Sequence, residues 1–381
     1  MKKTLLLLLP ALLASCGGNS SQSSSATPVK EKDIIGREVD IVNKDFKRIA
    51  CIGAGALRLY SYVGDVSKLC AIEEIDNESL TTTTRPKMFD GVARPYVIAN
   101  HEAFSAITVS AGIGGPNAKE AETEKLIAAK PDLIISEYQD VAQADALAAS
   151  TGATVMVVDY GVGGQLDIAT FGESIRLLGV ATGQKMRADE LLDFYKSEEA
   201  AISEATKNIA PASKKNVYIS GLGNWGTTNQ FMTTMNYRPF QIAGIKNVCT
   251  DLTFSGVGAI TPEKFAALAP QMDVMIFDAA AVKNIRGKGF DFSLCEAFKT
   301  GEVYLQMAYN AYYINAETAL INSWFCAKAV YPEVFKDIDI AKKADEITTK
   351  FNGKALYEQI KQKQHSFGGY QKISNPTEFF A

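Results

Sequence analysis

Residues 124–136 read EKLIAAKPDLIIS, and residues 263–278 read EKFAALAPQMDVMIFD. In both stretches a Glu-Lys pair opens a short helical segment, a proline follows seven positions after the glutamate, and an apolar strand comes next. Glutamate favours the start of a helix, and proline ends one because it lacks the N–H. Any helix–strand unit could show this pattern, but the two glutamates are 139 residues apart. We interpret the stretches as equivalent positions in two related halves of the chain.

Short apolar runs alternate with helical stretches throughout both halves. The predicted strands are 48–52, 68–72, 131–135, 154–158, 216–219, 247–249, 274–277 and 302–305. The predicted helices between them include 56–63, 142–149, 231–243 and 262–269. Such alternation is typical of a mostly parallel sheet with helices on both faces. The predicted fold class is α/β, with two lobes that are each a parallel-sheet α/β sandwich.

Residues 183–210 lie between the two halves and predict a helix. After Gly183 the segment contains no glycine or proline until Pro211, and it is rich in helix-forming residues. A helix of this length spans ~40 Å at 1.5 Å per residue. A flexible hinge is the alternative, but it would contain glycines or a polar low-complexity run. We therefore expect one long rigid α-helix to join an N-terminal lobe (31–182) to a C-terminal lobe (211–381), with a ligand cleft between them.

The first sixteen residues predict an export signal. Lys2 and Lys3 precede a run of about ten apolar residues, which is too short to span a bilayer. The run ends in LASC at 13–16, which resembles the lipobox of bacterial lipoproteins; the resemblance implies cleavage before Cys16 and lipidation of its thiol. An ordinary secreted protein is the alternative. Residues 17–30 form a Ser-rich tether, so we expect an extracytoplasmic protein anchored to a membrane, in the periplasm or at the cell surface.

Composition excludes several classes of function. Lys and Arg number 39 against 43 Asp and Glu, and this mildly acidic balance is not that of a nucleic-acid-binding protein. His101 and His365 are the only histidines, which argues against a multi-histidine metal centre. Five cysteines follow Cys16 without a CxxC spacing, which argues against a disulfide framework or a zinc site. No GxSxG, HExxH or Walker motif occurs, so we expect no enzyme; an exported lipoprotein enzyme is the alternative from another class.

The ordered set of features resembles the substrate-binding lipoproteins of ABC importers, in the class III group that serves iron–siderophore, haem, cobalamin and some oxyanion uptake. DIIGREV at 33–39, KPDLII at 130–135 and the long linking helix carry the resemblance, which extends to the C-terminal helices. It implies that Glu124 and Glu263 dock into arginine pockets on the two subunits of a permease, which works with cytoplasmic ATPases. It also implies a protein without a resident cofactor, and we expect a monomer.

Candidate ligand-binding residues lie in the loops after the strands, because ligands of open α/β sheets sit beyond the carboxyl ends of the strands. Arginines can hold oxyanions, aromatic residues can stack or hydrogen-bond, and glycine loops can offer backbone N–H groups. The predicted set is Gly55, Arg58, Arg85, Tyr96, His101, Gly115, Tyr138, Tyr160, Trp225, Arg238, Tyr309 and Tyr312. The loop 53–58 resembles the GxGxxG motif of dinucleotide-binding proteins, but Arg58 occupies the position of the third glycine of that motif.

The resemblance implies an iron chelate, either a siderophore or haem-like, as the ligand. A molybdate- or tungstate-type oxyanion is the main alternative, because glycine loops and arginines suit it, and cobalamin is the third. Bare zinc or manganese is disfavoured, because family members that bind them use several histidines and this chain has two. The sequence leaves the choice among chelate, oxyanion and cobalamin open.

Overall fold

The computed structural model describes residues 30–223 and 229–381. The strands, in chain order, are β1 (Glu31–Lys32), β2 (Glu38–Val39), β3 (Ile49–Ile52), β4 (Leu69–Glu73), β5 (Ser110–Gly112), β6 (Leu133–Ser136), β7 (Thr154–Val157), β8 (Gly161–Val162), β9 (Gln165–Leu166), β10 (Asn216–Ser220), β11 (Met232–Thr233), β12 (Lys246–Asn247), β13 (Gly258–Ala259), β14 (Val274–Asp278), β15 (Val303–Gln306) and β16 (Gln371–Lys372). The α-helices are α1 (Ala56–Val63), α2 (Pro95–Ala99), α3 (His101–Ser105), α4 (Thr123–Ala129), α5 (Val141–Thr151), α6 (Ile168–Thr182), α7 (Lys185–Thr206), α8 (Arg238–Ile242), α9 (Pro262–Leu268), α10 (Ala279–Val282), α11 (Glu296–Thr300), α12 (Ala316–Val330), α13 (Ile340–Asn352), α14 (Tyr357–Gln362) and α15 (Pro376–Phe380).

The first lobe is built around a five-stranded sheet with the order β5-β4-β3-β6-β7. Every pairing in this sheet is parallel. The central strands β3 and β6 are buried along their whole length, as expected where helices cover both faces of a parallel sheet. The carboxyl ends of these strands therefore meet at one edge of the lobe.

The second lobe has a five-stranded sheet with the order β12-β10-β14-β15-β16. Strands β12, β10, β14 and β15 are parallel, and all five residues of β14 are buried. The edge strand β16 pairs with β15 in the antiparallel direction, so this sheet is mixed. An antiparallel edge strand is common on an otherwise parallel sheet.

The two stretches that share the Glu-Lys pattern occupy equivalent places. Helix α4 leads into β6 and helix α9 leads into β14, and each of these strands pairs with the first long strand of its own lobe, β3 or β10. An aspartate before each strand makes the same contact. The carboxylate of Asp132 accepts the N–H groups of Lys47 and Arg48 at 2.7 and 2.9 Å, and that of Asp273 accepts the N–H of Asn216 at 2.7 Å. This shared contact, which the sequence analysis did not identify, supports the interpretation of two related halves.

Helix α7 joins the lobes. Its 22 residues span about 33 Å at 1.5 Å per residue. Gly183, with φ 71°, ends α6, so α7 begins after it and lies inside the predicted range 183–210. Helix α7 packs against α6 of the first lobe and against α8 and α12 of the second lobe. Leu191, Tyr195 and Ile202 are buried in these contacts. The connection between the lobes is thus a packed helix.

The predicted helix at 231–243 is wrong. The chain forms the short strand β11 first, and only the last part of the segment is helical, in α8. Strand β11 pairs with β13 in the antiparallel direction, a long-range contact that local propensity does not report. Pro239 lies in the first turn of α8, where its missing N–H and restricted φ suit a helix start.

Helix α12 has nearly all of its 15 residues buried, and it packs against α7, α8 and α13. At this length it falls short of the ~20 residues that a bilayer requires. Among residues 30–223 and 229–381, no helix combines the length and apolar character needed to cross a membrane.

Candidate functional site

A cavity of about 410 Å³ lies where the first sheet's strand ends meet the loop after β15. The first lobe contributes the loops after β3, β5, β6 and β7, and the second lobe contributes two tyrosines. The lining residues are Ala54, Gly115, Pro116, Ala118, Lys119, Glu137, Tyr138, Gln139, Asp140, Gln143, Gly161, Val162, Gly163, Tyr312 and Tyr313. Since open α/β sheets bind ligands beyond their strand ends, we take this cavity as the candidate site.

A larger cavity of about 720 Å³ lies elsewhere, between α1, α7 and α13. Helical residues and the turns at their ends line it. Arg187 on its wall already donates hydrogen bonds to the backbone carbonyls of Tyr62, Lys350 and Phe351. We therefore assign this groove to helix packing and place the candidate site in the cleft.

Residues 309–315 of the second lobe reach across the cleft. The Tyr312 hydroxyl donates to Glu73 Oε2 at 2.5 Å and accepts the N–H of Gly115 at 3.0 Å. The Tyr313 hydroxyl donates to the carbonyl oxygen of Gly161 at 2.8 Å. Both tyrosines have positive φ, 53° and 69°, a conformation that costs free energy for residues other than glycine. These contacts with the first lobe hold the segment in its strained conformation.

Other contacts close the cleft at its two sides. At one side the β8–β9 hairpin meets the second lobe, where the carbonyl oxygen of Gly163 accepts the N–H of Val257 at 2.9 Å and the side chain of Gln165 donates to Thr234. At the other side Lys363 forms an ion pair with Glu78 at 3.1 Å. The lobes are therefore in contact around the cavity.

Glu73 at the end of β4 is the main acceptor behind the cavity wall. Its Oε1 accepts the N–H of Gly53 at 2.9 Å and the hydroxyl of Tyr138 at 3.2 Å, in addition to the Tyr312 contact at Oε2. Burial disfavours the charged form and raises the pKa of Glu73 to about 7, although these hydrogen bonds oppose the shift. A side chain at residue 114 would place its Cβ 2.8 Å from Glu73 Oε2, which explains the glycine there.

Glu137 is a half-buried acid of the cavity wall itself, directly after β6. Its backbone packs against Gly53, where an added Cβ would lie 3.0 Å from Glu137 Cβ. Burial raises the pKa of Glu137 well above its usual range, and the nearby carboxylates of Asp159 and Glu73 raise it further. The residues predicted from the sequence included Tyr138 but not Glu137. Both residues follow the carboxyl end of β6, so the expectation that ligands bind beyond strand ends applies equally to Glu137.

Arg58 lies behind the wall and is fully buried. Its Nη1 donates to the Tyr160 hydroxyl and its Nη2 to the carbonyl oxygen of Ala311, both at 2.7 Å. The guanidinium also lies over the ring of Tyr96, 4.6 Å from its centroid. Gly55 belongs to the same cluster, since a Cβ there would lie 1.7 Å from the Tyr160 hydroxyl. These four predicted residues support the wall from behind.

Four other predicted residues lie away from the cavity lining. Arg85 forms a bidentate pair with Asp90, at 3.1 and 2.6 Å, and Arg238 forms a bidentate pair with Glu199 of α7. His101 is exposed at the start of α3. Tyr309 is buried, and its hydroxyl accepts the N–H of Leu166 at 3.2 Å.

The remaining predicted residues divide into two groups. Gly115, Tyr138 and Tyr312 line the cavity, and the structure adds Tyr313 and Glu137 to them. Trp225 and Cys16 lie outside the described residues. Within 30–223 and 229–381, no group of three or more His, Cys, Asp and Glu is arranged to hold a metal ion.

Glu124 and Glu263 are both exposed in the first turn of a seven-residue helix, α4 or α9. The lysine after each glutamate pairs with acids of its own lobe: Lys125 lies 3.0 Å from Glu122 and 3.1 Å from Glu74, and Lys264 lies 2.8 Å from Asp251. Neither glutamate forms an ion pair with any residue that the structure describes. Each lobe thus presents one exposed acid at an equivalent position.

The chain matches the model of the periplasmic binding protein family over residues 57–288, and it belongs to that family. It is 24% identical to the uncharacterized ABC transporter substrate-binding lipoprotein YvrC of Bacillus subtilis over 345 residues. The aligned region covers 87% of this chain and 97% of the relative. The resemblance to ABC-importer substrate-binding proteins is therefore confirmed.

Two solved structures support the two-lobed α/β fold. A periplasmic solute-binding protein from Veillonella parvula matches with a TM-score of 0.66 and 18% identity over 92% of this chain and 98% of the other. The molybdate periplasmic binding protein MolA of Haemophilus influenzae, bound to molybdate, matches with a TM-score of 0.64 and 17% identity over 86% and 98%. The predicted fold class is confirmed.

Proposed function

We propose that this protein is an extracytoplasmic lipoprotein that captures an iron chelate and delivers it to the permease of an ABC importer. The cavity between the lobes carries this proposal. Tyr138, Tyr312 and Tyr313 line its volume of about 410 Å³ with aromatic rings, and Glu137 adds a carboxyl group. Aromatic rings can pack against the organic part of a ferric chelate.

The charges of the cavity favour a chelate over an oxyanion. An oxyanion site typically uses arginines with free N–H groups. Arg58, Arg85 and Arg238 are engaged with partners in the protein, and Lys119 is the one cationic residue among the described lining residues. The volume also favours a chelate over cobalamin, since it lies near the lower end of the usual range for small-molecule sites.

Transport in this proposal involves no covalent step. The ligand binds between the lobes and is enclosed when the tyrosine segment contacts the first lobe. Glu124 and Glu263 then dock onto the two permease subunits through charge-assisted contacts. ATP hydrolysis by the cytoplasmic ATPases opens the cleft, and release requires the Tyr312 contacts to break.

The lipid anchor is proposed at Cys16. The lipobox-like LASC at 13–16 supports it, and so does the lipoprotein named in the relative from Bacillus subtilis. Two or three acyl chains on one residue give stable membrane anchoring, whereas a single chain gives marginal binding.

Purification with the native ligand tests the proposed function. The protein is isolated from its own host without refolding, and elemental analysis is combined with mass spectrometry of the released ligand. We expect about one iron per protein together with an organic chelator. Stoichiometric molybdenum without an organic component would instead establish the oxyanion alternative.

A further inference from the structure

The lining of the cavity contains more acidic than basic side chains. Glu137 and Asp140 are its acids, and Lys119 is its cationic residue within the described chain. Lys119 and Asp140 are exposed at the rim, whereas Glu137 is half-buried in the wall. Glu137 is therefore the acid of the lining that is most shielded from water.

Glu137 has no cationic partner within hydrogen-bonding distance among the described residues. The nearest buried cation, Arg58, already donates to the Tyr160 hydroxyl and to the carbonyl oxygen of Ala311. Other acids, Glu73 and Asp159, lie close enough to oppose ionisation of Glu137. A half-buried carboxylate without a paired cation is stabilised by any ligand that brings positive charge to it.

Resting on the proposed function, we infer that the preferred ligand is a ferric chelate with a free ammonium group, and that this group binds Glu137. The wall geometry favours this class over neutral chelates and disfavours anionic ones such as ferric citrate. Glu137 is then the residue that determines specificity for the charge of the chelate.

A proton competes with such an ammonium group. The ionisable groups around Glu137 are Arg58 on α1, Glu73 on β4, Tyr138 beside it, Asp159 and Tyr160 after β7, Tyr313 from the second lobe, and Lys119 and Asp140 at the rim. Burial raises the pKa of Glu137, so the carboxyl group retains its proton to higher pH than usual. An ammonium chelate must displace this proton, and its affinity is expected to rise as the pH increases. A neutral chelate lacks this dependence.

Two matched probes test the inference: ferric desferrioxamine B, which carries a free ammonium group, and the ferric complex of N-acetyl-desferrioxamine B, which has the same iron coordination without it. Calorimetry on the intact protein is expected to show about tenfold weaker binding of the acetylated complex at neutral pH, a difference of about 1.4 kcal/mol. Glu137→Gln is expected to bind both complexes equally. Glu120→Gln removes an exposed acid near the cavity that does not line it, and it should preserve the tenfold difference.

The outcomes separate the inference from the proposed function. Equal binding of both complexes by the native protein, with no pH dependence, would overturn the role of Glu137 while leaving iron-chelate binding intact. Binding of molybdate with no binding of either complex would overturn both. Because the comparison of the two complexes and the pH profile need only the native protein, they decide the matter even where Glu137→Gln does not fold.

Discussion

Single residues decide the shape of the cavity wall, and Gly55 shows this most directly. Its φ is 98°, and a Cβ would lie 1.7 Å from the Tyr160 hydroxyl, which accepts a hydrogen bond from Arg58. Gly55→Ala must therefore displace Tyr160 and leave a buried guanidinium N–H without its acceptor. We expect a loss of about 3 kcal/mol in the free energy of unfolding, measured by urea denaturation.

Gly152→Ala is the matched control for this prediction. Gly152 also has positive φ, 71°, but no atom lies within 4 Å of an added Cβ. Its substitution should cost only about 1 kcal/mol, from backbone conformation alone. Equal losses in the two variants would show that the contact with Tyr160 is unimportant.

Tyr312 is the residue through which the second lobe contacts the buried acid of the first. Tyr312→Phe removes the donor to Glu73 and the acceptor of the Gly115 N–H. We expect ligand dissociation to become about thirtyfold faster, because closure loses two buried hydrogen bonds of about 1 kcal/mol each. Stopped-flow fluorescence measures this rate. Tyr304→Phe, whose hydroxyl bonds Glu302 outside the cavity, should leave the rate unchanged.

The pH dependence of stability should reveal the raised pKa of Glu73. Its pKa is raised to about 7 by burial, above the value of about 4.3 in an unfolded chain. Between these values the folded state binds more protons than the unfolded state, so the contribution of Glu73 to stability is full below about pH 4 and decreases as the pH rises through 7. Thermal unfolding from pH 5 to 8 should therefore show a smaller decrease in Tm for Glu73→Gln than for the native protein. An equal decrease in both would contradict the assignment.

At the scale of elements, α4 and α9 present the two exposed glutamates. We predict that the double variant Glu124→Ala, Glu263→Ala abolishes uptake into cells while its affinity for ligand is unchanged, because both residues lie outside the cavity lining. Uptake is measured with radioactive iron, and affinity for the ligand is measured by calorimetry. The variant Glu120→Ala, Glu333→Ala removes two other exposed acids and should transport normally. Normal transport by the Glu124 and Glu263 variant would exclude the docking role.

For some secondary-structure elements, the local sequence pattern was sufficient to predict the element. Strands such as β6 and β14 were predicted because a continuous apolar run after a proline-terminated helix is a local signal. The segment 231–243 was predicted incorrectly because β11 exists only through its pairing with β13, which lies more than twenty residues later in the chain. Such short strands cannot be predicted from the local sequence, because they form only by pairing with a strand that is distant in the chain.

At the scale of the whole molecule, α7 limits how far the lobes can separate. It packs on α6 in one lobe and on α8 and α12 in the other, so bending it would break contacts at both ends. We expect small-angle scattering to show a change in radius of gyration below about 1 Å on ligand addition, against a total of about 21 Å for a compact chain of this length.

A variant with a weakened α7 serves as the comparison with the native protein. Ala200 and Ala201 are exposed, so Ala200→Gly with Ala201→Gly weakens the helix by about 1 kcal/mol per residue without removing a buried contact. This variant should show a larger compaction on ligand addition than the native protein. A compaction of several ångströms in the native protein would contradict a rigid connection.

The sequence by itself determined the α/β class and the long helix that follows the first sheet, because periodicity and proline positions are local properties of the chain. The duplication of the halves and the pairing of Glu124 with Glu263 stay predictions. Only the tertiary structure decided which side chains reach the cavity. Arg58 and Arg238 looked suitable for a ligand, yet Ala311 and Tyr160 engage the first and Glu199 the second. The physical reason is that a charged side chain forms its hydrogen bonds with whatever the fold brings close, and here the partners come from distant parts of the chain.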